Sequence, residues 1–188
     1  METLLGYDQE LFLFLNNLGS ETWDGFWLVV TNKLSSIPLY ALLLFFIYQK
    51  FGLKGMLITM VIVAVMITCT DQISDFFKNY LQRPRPCKVF SWEETMRFIA
   101  PRCGRYGYFS GHATSSMATA VFAGLALQSK YRNLIFILLF WAVAIGYSRI
   151  YVGVHYPLDV LTGMVAGALL GFGFYVLQKK VIAKYTEI

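Results

Sequence analysis

Five apolar runs, near residues 34–49, 55–77, 110–128, 133–149 and 157–178, contain almost no Asp, Glu, Lys or Arg. A helix that crosses a bilayer needs about 20 largely apolar residues. Inside hydrocarbon every backbone N–H and C=O must be paired within the chain, which favours helices over open strands. The expected fold class is therefore all-α: a polytopic membrane helix bundle of about five transmembrane helices. The chain of 188 residues is expected to form a single membrane-embedded domain, 1–188. Composition agrees, with 57% hydrophobic and 14% charged residues, where soluble domains carry about 25% charged residues. The first run is short and borrows length from 23–33, where Trp23 and Trp27 have the character of interfacial anchors.

The segment 1–33 has a different pattern. It lacks the basic leader of a signal peptide, and Asp8 and Glu10 interrupt it. Leu4, Leu5, Leu11, Phe12, Leu15 and Leu18 recur at roughly helical spacing, which predicts an N-terminal amphipathic interfacial helix. In the fifth run Gly163, Gly167 and Gly171 stand four apart, and the third run is rich in small residues from Ser115 to Ala126. Both patterns predict inner helices in close contact.

With five crossings, the connections alternate between the two sides. The basic loops 50–54 and 129–132 and the tail 179–188 share one side. Basic residues in short loops mark the cytoplasmic face. The long polar stretch 78–109 and the stretch 149–156 then lie on the outer side. Three polar clusters meet there: Lys78 to Pro86, Tyr108 to Thr114 and Ser148 to Asp159. They hold both histidines of the chain, His112 and His155. Ionisable groups at membrane depth are costly and by default mark a function.

The residue types point to an anion. Arg85 and Arg149 each present a planar fork that matches phosphate, and Lys78 adds a point charge. Ser110 and Gly111 open the third helix, where backbone N–H groups bind anions. Pro157 suits the first turn of the fifth helix, so Asp159 lies one turn from His155. Its carboxylate can take one ring N–H and leave the other nitrogen free to attack phosphorus. His112, near the unperturbed histidine pKa of about 6.5, is suited to protonate the leaving oxygen.

These residues resemble the signature of the type 2 phosphatidic acid phosphatases, integral membrane enzymes that share a core with acid phosphatases and vanadium haloperoxidases. The first part is Lys78, six residues, then Arg85-Pro86. The second is Phe109-Ser110-Gly111-His112, with Phe109 where proline is usual. The third is Ser148-Arg149, five residues, His155, three residues, Asp159. The resemblance covers roughly 78–159. It implies that His155 forms a phosphohistidine, Asp159 orients it, and His112 is general acid and then base. Lys78, Arg85, Ser110, Gly111 and Arg149 would hold the phosphoryl oxygens, with no metal and no cofactor. Asp71 and Asp75 read as partners for Lys78 or polar neighbours rather than a magnesium site. Arg83 is an extra arginine in a doubled Arg-Pro, expected to contact headgroup or solvent.

The resemblance further implies a lipid phosphate substrate, and a bacterial inner membrane with the active site facing the periplasm. The leading expectation is an undecaprenyl diphosphate phosphatase or related bacterial lipid phosphatase. Lipid A phosphates, phosphatidylglycerol phosphate and phosphatidate are alternatives, as is lipid phosphotransfer through the same phosphohistidine. A non-catalytic lipid-binding protein is more remote, because binding alone needs no nucleophile with its orienting carboxylate. The expected partners are membrane and lipid, not nucleic acid, and oligomeric state is left open. Within the catalytic-side loop 78–109, the stretch 87–109, with Trp92, Glu93, Glu94, Arg97, Arg102 and Arg105, is the expected headgroup selector. Cys87 and Cys103 sit near its ends and would form a disulfide on an oxidising face. Cys69 reads as a packing residue.

Overall fold

The computed structural model describes residues 2–89 and 94–185. Six helices carry the chain: α1 (Glu2–Asn17), α2 (Glu21–Thr31), α3 (Ile37–Leu81), α4 (Gly111–Leu127), α5 (Leu134–Tyr151) and α6 (Pro157–Tyr185). Lys33–Leu81, Leu134–Tyr151 and Pro157–Tyr185 are each long and apolar enough to cross a membrane.

The first two expected runs are joined in α3, which breaks at Gly52. There φ is +67° and ψ −175°, a conformation that only glycine adopts without strain. The chain turns back at this point. One cavity is lined by Ser36, Tyr40, Leu43 and Ile47 from before the break, and by Thr59, Val63, Ile67 and Asp71 from after it. At the turn, Lys50 Nζ donates to the Ala126 carbonyl at 2.6 Å, and Lys130 donates to Gln49. The basic loops therefore do gather at the end of the bundle opposite the polar clusters.

α4 is the central helix, in contact with α3, α5 and α6. Its Ser, Ala, Thr and Gly content removes the side-chain bulk that would hold neighbours away. The glycine stripe of α6 meets it directly. A Cβ added at Gly163, Gly167 or Gly171 would lie 2.8, 2.3 or 2.5 Å from the carbonyl oxygen of Ser110, Thr114 or Ala118. Both sets advance by four residues in the same direction, so α4 and α6 run parallel. The stripe is thus used inside one chain.

α1 has two functional faces. Leu4, Leu5, Leu11 and Leu18 are exposed, as an interfacial helix requires, but Asp8, Phe12 and Asn16 form a buried stripe. Phe12 packs edge-on against Tyr156 at 5.5 Å. In α2, Trp27 packs against Tyr147 and Tyr151, so this expected interfacial anchor is spent on the bundle, while Trp23 remains exposed.

The stripe gives a direct test. Gly167→Leu should destroy the monodisperse peak in detergent size exclusion. Its cost should exceed the ~1–3 kcal/mol typical of overpacking, because the obstructing atoms are backbone. Gly173→Leu, where a Cβ meets nothing within 4 Å, should elute like wild type.

Candidate active site

The parallel packing brings the starts of α4 and α6 side by side. Ser110 N donates to the Asp159 carbonyl at 2.9 Å, locking one helix start to the other. Ser110 is the N-cap of α4, and its hydroxyl accepts from Ala113 N at 3.5 Å. Two helix N-termini thus direct their positive ends at one region, a favourable setting for an anion. Phe109, where the family resemblance expects proline, is held by packing and a hydrogen bond. It is 4% exposed, packs on Phe77 at 5.3 Å, and its carbonyl accepts from Ser74 Oγ at 3.2 Å.

α6 starts at Pro157, so His155 sits in the connection just before it and Asp159 in its first turn. His155 Nδ1 lies 3.4 Å from Asp159 Oδ2, and both side chains are buried. The same Oδ2 accepts from Tyr156 N at 3.1 Å. Gly107 closes over this pair: a Cβ there would lie 3.0 Å from Asp159 Oδ2 and 3.6 Å from His155 Nδ1. The Gly107 backbone also hydrogen-bonds the His155 ring.

Three cations converge on this histidine. Burial, then the charges of Arg85, Arg149 and Lys78, hold the His155 imidazole well below its ordinary pKa. It is therefore neutral at physiological pH, as a nucleophile must be. His112, in the first turn of α4, interacts electrostatically with Arg149, His155 and Arg85, so both histidines share one field. Arg85 donates Nε to the Tyr106 carbonyl at 2.9 Å. Burial lowers its pKa and the Asp159 charge partly offsets this. Arg149 donates to the Thr31 hydroxyl, while its buried Nε has no hydrogen-bond partner. Lys78 pairs with Asp75 at 2.9 Å, and its Nζ lies 3.7 Å from a Cβ built on Gly111. Asp71 lines the α3 cavity together with His112. Among the described residues, no three His, Cys, Asp or Glu side chains form a cluster able to hold a metal ion.

The structure corrects the placement of Arg83. It is only partly exposed, and its fork is engaged by carboxylates: Nη1 donates to Asp159 Oδ1 at 2.8 Å and Nη2 to Asp8 Oδ2 at 2.6 Å. Arg97, expected among the selector residues, pairs with Asp24 at 2.8 Å and its backbone N–H donates to Asn16 Oδ1. Asn16 Nδ2 lies within 3.1 Å of the carbonyls of Arg97, Ile150 and Tyr151. The helices α1 and α2 therefore fasten the catalytic-side loop. Arg102 and Arg105 remain exposed on it, while Trp92 and Glu93 lie outside the described residues. Sequence spacing did not reveal Asp8, Asn16, Ser74, Gly107 or Thr31. The one available signal was the i, i+4, i+8 spacing of Asp8, Phe12 and Asn16, which puts two polar groups on one stripe of an otherwise apolar helix.

Cys87 and Cys103 are joined as a disulfide with Cα atoms 6.4 Å apart, and Cys69 is a free thiol. In denatured, unreduced protein only Cys69 should alkylate, whereas prior reduction should expose all three cysteines. Reduction should also lower stability by about 3 kcal/mol, the loop-closure value for a ring of this size. Labelling of three thiols without reductant would remove the bridge.

The model of the PAP2 superfamily matches residues 55–183. A lipid A 4'-phosphatase of Bacteroides thetaiotaomicron is 31% identical over 98% of this chain and 82% of that protein. An undecaprenyl-diphosphatase of Sulfolobus acidocaldarius is 32% identical over 91% of this chain and 78% of that protein. The crystal structure of Aquifex aeolicus LpxE superposes with a TM-score of 0.68 at 25% identity, covering 92% of this chain and 94% of that one.

Proposed function

Because this chain belongs to the PAP2 superfamily of membrane lipid phosphatases, we propose that it hydrolyses a phosphate monoester of a lipid A-type glycolipid through a phosphohistidine on His155. The observation that carries the mechanism is the meeting of His155, Asp159, Arg85, Arg149 and Lys78 in one field. The substrate reading rests on the similarity to a lipid A 4'-phosphatase along nearly the whole chain. It takes the place of undecaprenyl diphosphate as the leading expectation. The second reading keeps undecaprenyl diphosphate, on the strength of the Sulfolobus acidocaldarius relative.

The residues divide the work as follows. Asp159 accepts a hydrogen bond from the Nδ1–H of His155 and stays ionised, and the other ring nitrogen attacks phosphorus. The bond from phosphorus to the lipid oxygen breaks, and His112 delivers a proton to that oxygen. A water then attacks the phosphohistidine as His112 accepts its proton, and inorganic phosphate leaves. Lys78, Arg85, Arg149 and the N–H groups at the start of α4 hold the equatorial oxygens, where charge is spread in the transition state. The far end of the bundle carries Lys50 and Lys130, which supports a cytoplasmic assignment for that end and a periplasmic one for the site.

The test is phosphate release in detergent with excess EDTA from lipid A, undecaprenyl diphosphate, phosphatidylglycerol phosphate and phosphatidate. Wild type should release phosphate fastest from lipid A and keep its rate in EDTA. His155→Ala should fall by more than about 10³-fold, as when a covalent nucleophile is removed. A fastest rate on undecaprenyl diphosphate would transfer the assignment to the second reading. Loss of activity in EDTA would overturn the metal-free mechanism.

A further inference from the structure

Arg83 and Asp8 have no part in the chemistry described so far, yet contacts join both to it. Asp159 is 0% exposed, and a buried carboxylate stays ionised and fixed only when paired. Its Oδ2 serves His155 and the Tyr156 N–H, and its Oδ1 is taken by Arg83 Nη1 at 2.8 Å. The other arm of that guanidinium reaches Asp8 Oδ2 at 2.6 Å. Asp8 Oδ1 accepts from Leu158 N at 2.8 Å, in the same first turn of α6 that carries Asp159. The Tyr156 ring covers the guanidinium face, with Cζ 4.0 Å from the ring centroid. Both arms and one face of Arg83 are therefore held.

We infer that Arg83 and Asp8 are positioning residues for the His155 nucleophile, acting in series through Asp159. Asp8 on α1 aims the fork of Arg83. Arg83 keeps Asp159 ionised and in one orientation, and Asp159 sets the imidazole ring. The helix α1 thereby completes the active site without touching substrate. Both nitrogens of the fork end on carboxylates, so Arg83 does not hold a phosphoryl oxygen in the way proposed for Arg85 and Arg149. Its removal should act on kcat and leave KM nearly unchanged, the signature of a group that serves the transition state rather than ground-state binding. The inference rests on the assignment of His155 as nucleophile.

The test uses full-length protein in detergent and the lipid that wild type hydrolyses fastest. Arg83→Gln, Arg83→Lys, Asp8→Asn and the exposed α1 control Glu10→Gln would be compared with His155→Ala. Arg83→Gln should lower kcat by about 100-fold, the loss for a reacting group displaced by roughly 1 Å. Arg83→Lys, which retains the charge but not the fork, should recover part of it. Asp8→Asn preserves shape and the acceptor for Leu158 N. It should lower kcat by about tenfold, as for loss of an outer hydrogen-bond partner. Its KM should match wild type. Asp8→Asn decides the matter if Arg83→Gln does not fold. An unchanged kcat in Asp8→Asn would overturn the relay, and so would a rise in KM alone, which would make Arg83 a headgroup ligand. Activity that persists in His155→Ala would remove the nucleophile assignment and the relay with it. Loss in the Arg83 and Asp8 variants beside an inactive His155→Ala supports both.

Discussion

The parallel contact between α4 and α6 is the constraint on which the remaining structure depends. Three glycines, four apart, let the backbone of α6 lie against the carbonyls of Ser110, Thr114 and Ala118. No hydrophobic force drives two helices together in lipid, so close van der Waals packing has to supply the attraction. The contact also has a chemical consequence. It fixes the relative height of two helix N-termini, and the Ser110–Asp159 backbone bond sets their register. His112 in the first turn of one helix and His155 just before the other then fall into one electrostatic field. A shift of one turn, about 5.4 Å, would separate them.

A second constraint is the cost of charge at membrane depth. Each buried ionisable group must find a partner, and the structure pairs them across elements distant in sequence. Arg83 links α1 to the first turn of α6, Arg97 links the catalytic-side loop to α2, and Arg149 links α5 to Thr31. The same pairs that satisfy the charges therefore fix the loops that surround the site. Burial, and to a lesser degree the charge of Asp159, raises the Asp8 carboxyl, and Arg83 and the Leu158 N–H counter it. Stability and site geometry are here the same set of contacts.

The helices and the signature residues were legible in the sequence because both are local. Apolar runs report on the surroundings of their own segment, and Pro157 marks a helix start wherever the helix packs. The glycine stripe announced a close contact through its spacing, although not which helix would fill it. What remained hidden was pairing over long separations. Arg83 and Asp8 are 75 residues apart, and Asn16 meets Ile150 across 134. A polar residue in an apolar helix states that a partner is needed without saying where it is. Phe109 was legible as a departure from the proline usual there, yet its burial against Phe77 depends on tertiary packing. The break at Gly52 was likewise visible only as a short loop, because a glycine in a loop does not reveal its φ.

Charge pairing also bears on the kind of anion the site favours. Asp8 and Asp159 share Arg83, and Asp75 takes Lys78. The Lys78 pair lies at the rim, with Asp75 64% exposed, and such pairs contribute only about 0–1 kcal/mol. Lys78 can thus turn to a ligand at little cost. Among the described residues, Arg85 and Arg149 have no carboxylate within ion-pair distance, and Arg149 Nε is buried without a partner. Two largely buried guanidinium groups, neither in a close ion pair among the described residues, would favour a doubly charged ligand over a singly charged one. A phosphate monoester carries about −1.5 to −2 charges near neutral pH, whereas a diester carries one. In the proposed mechanism, this arrangement of arginines would suit the terminal phosphate of a lipid better than the diester linkages of the surrounding bilayer.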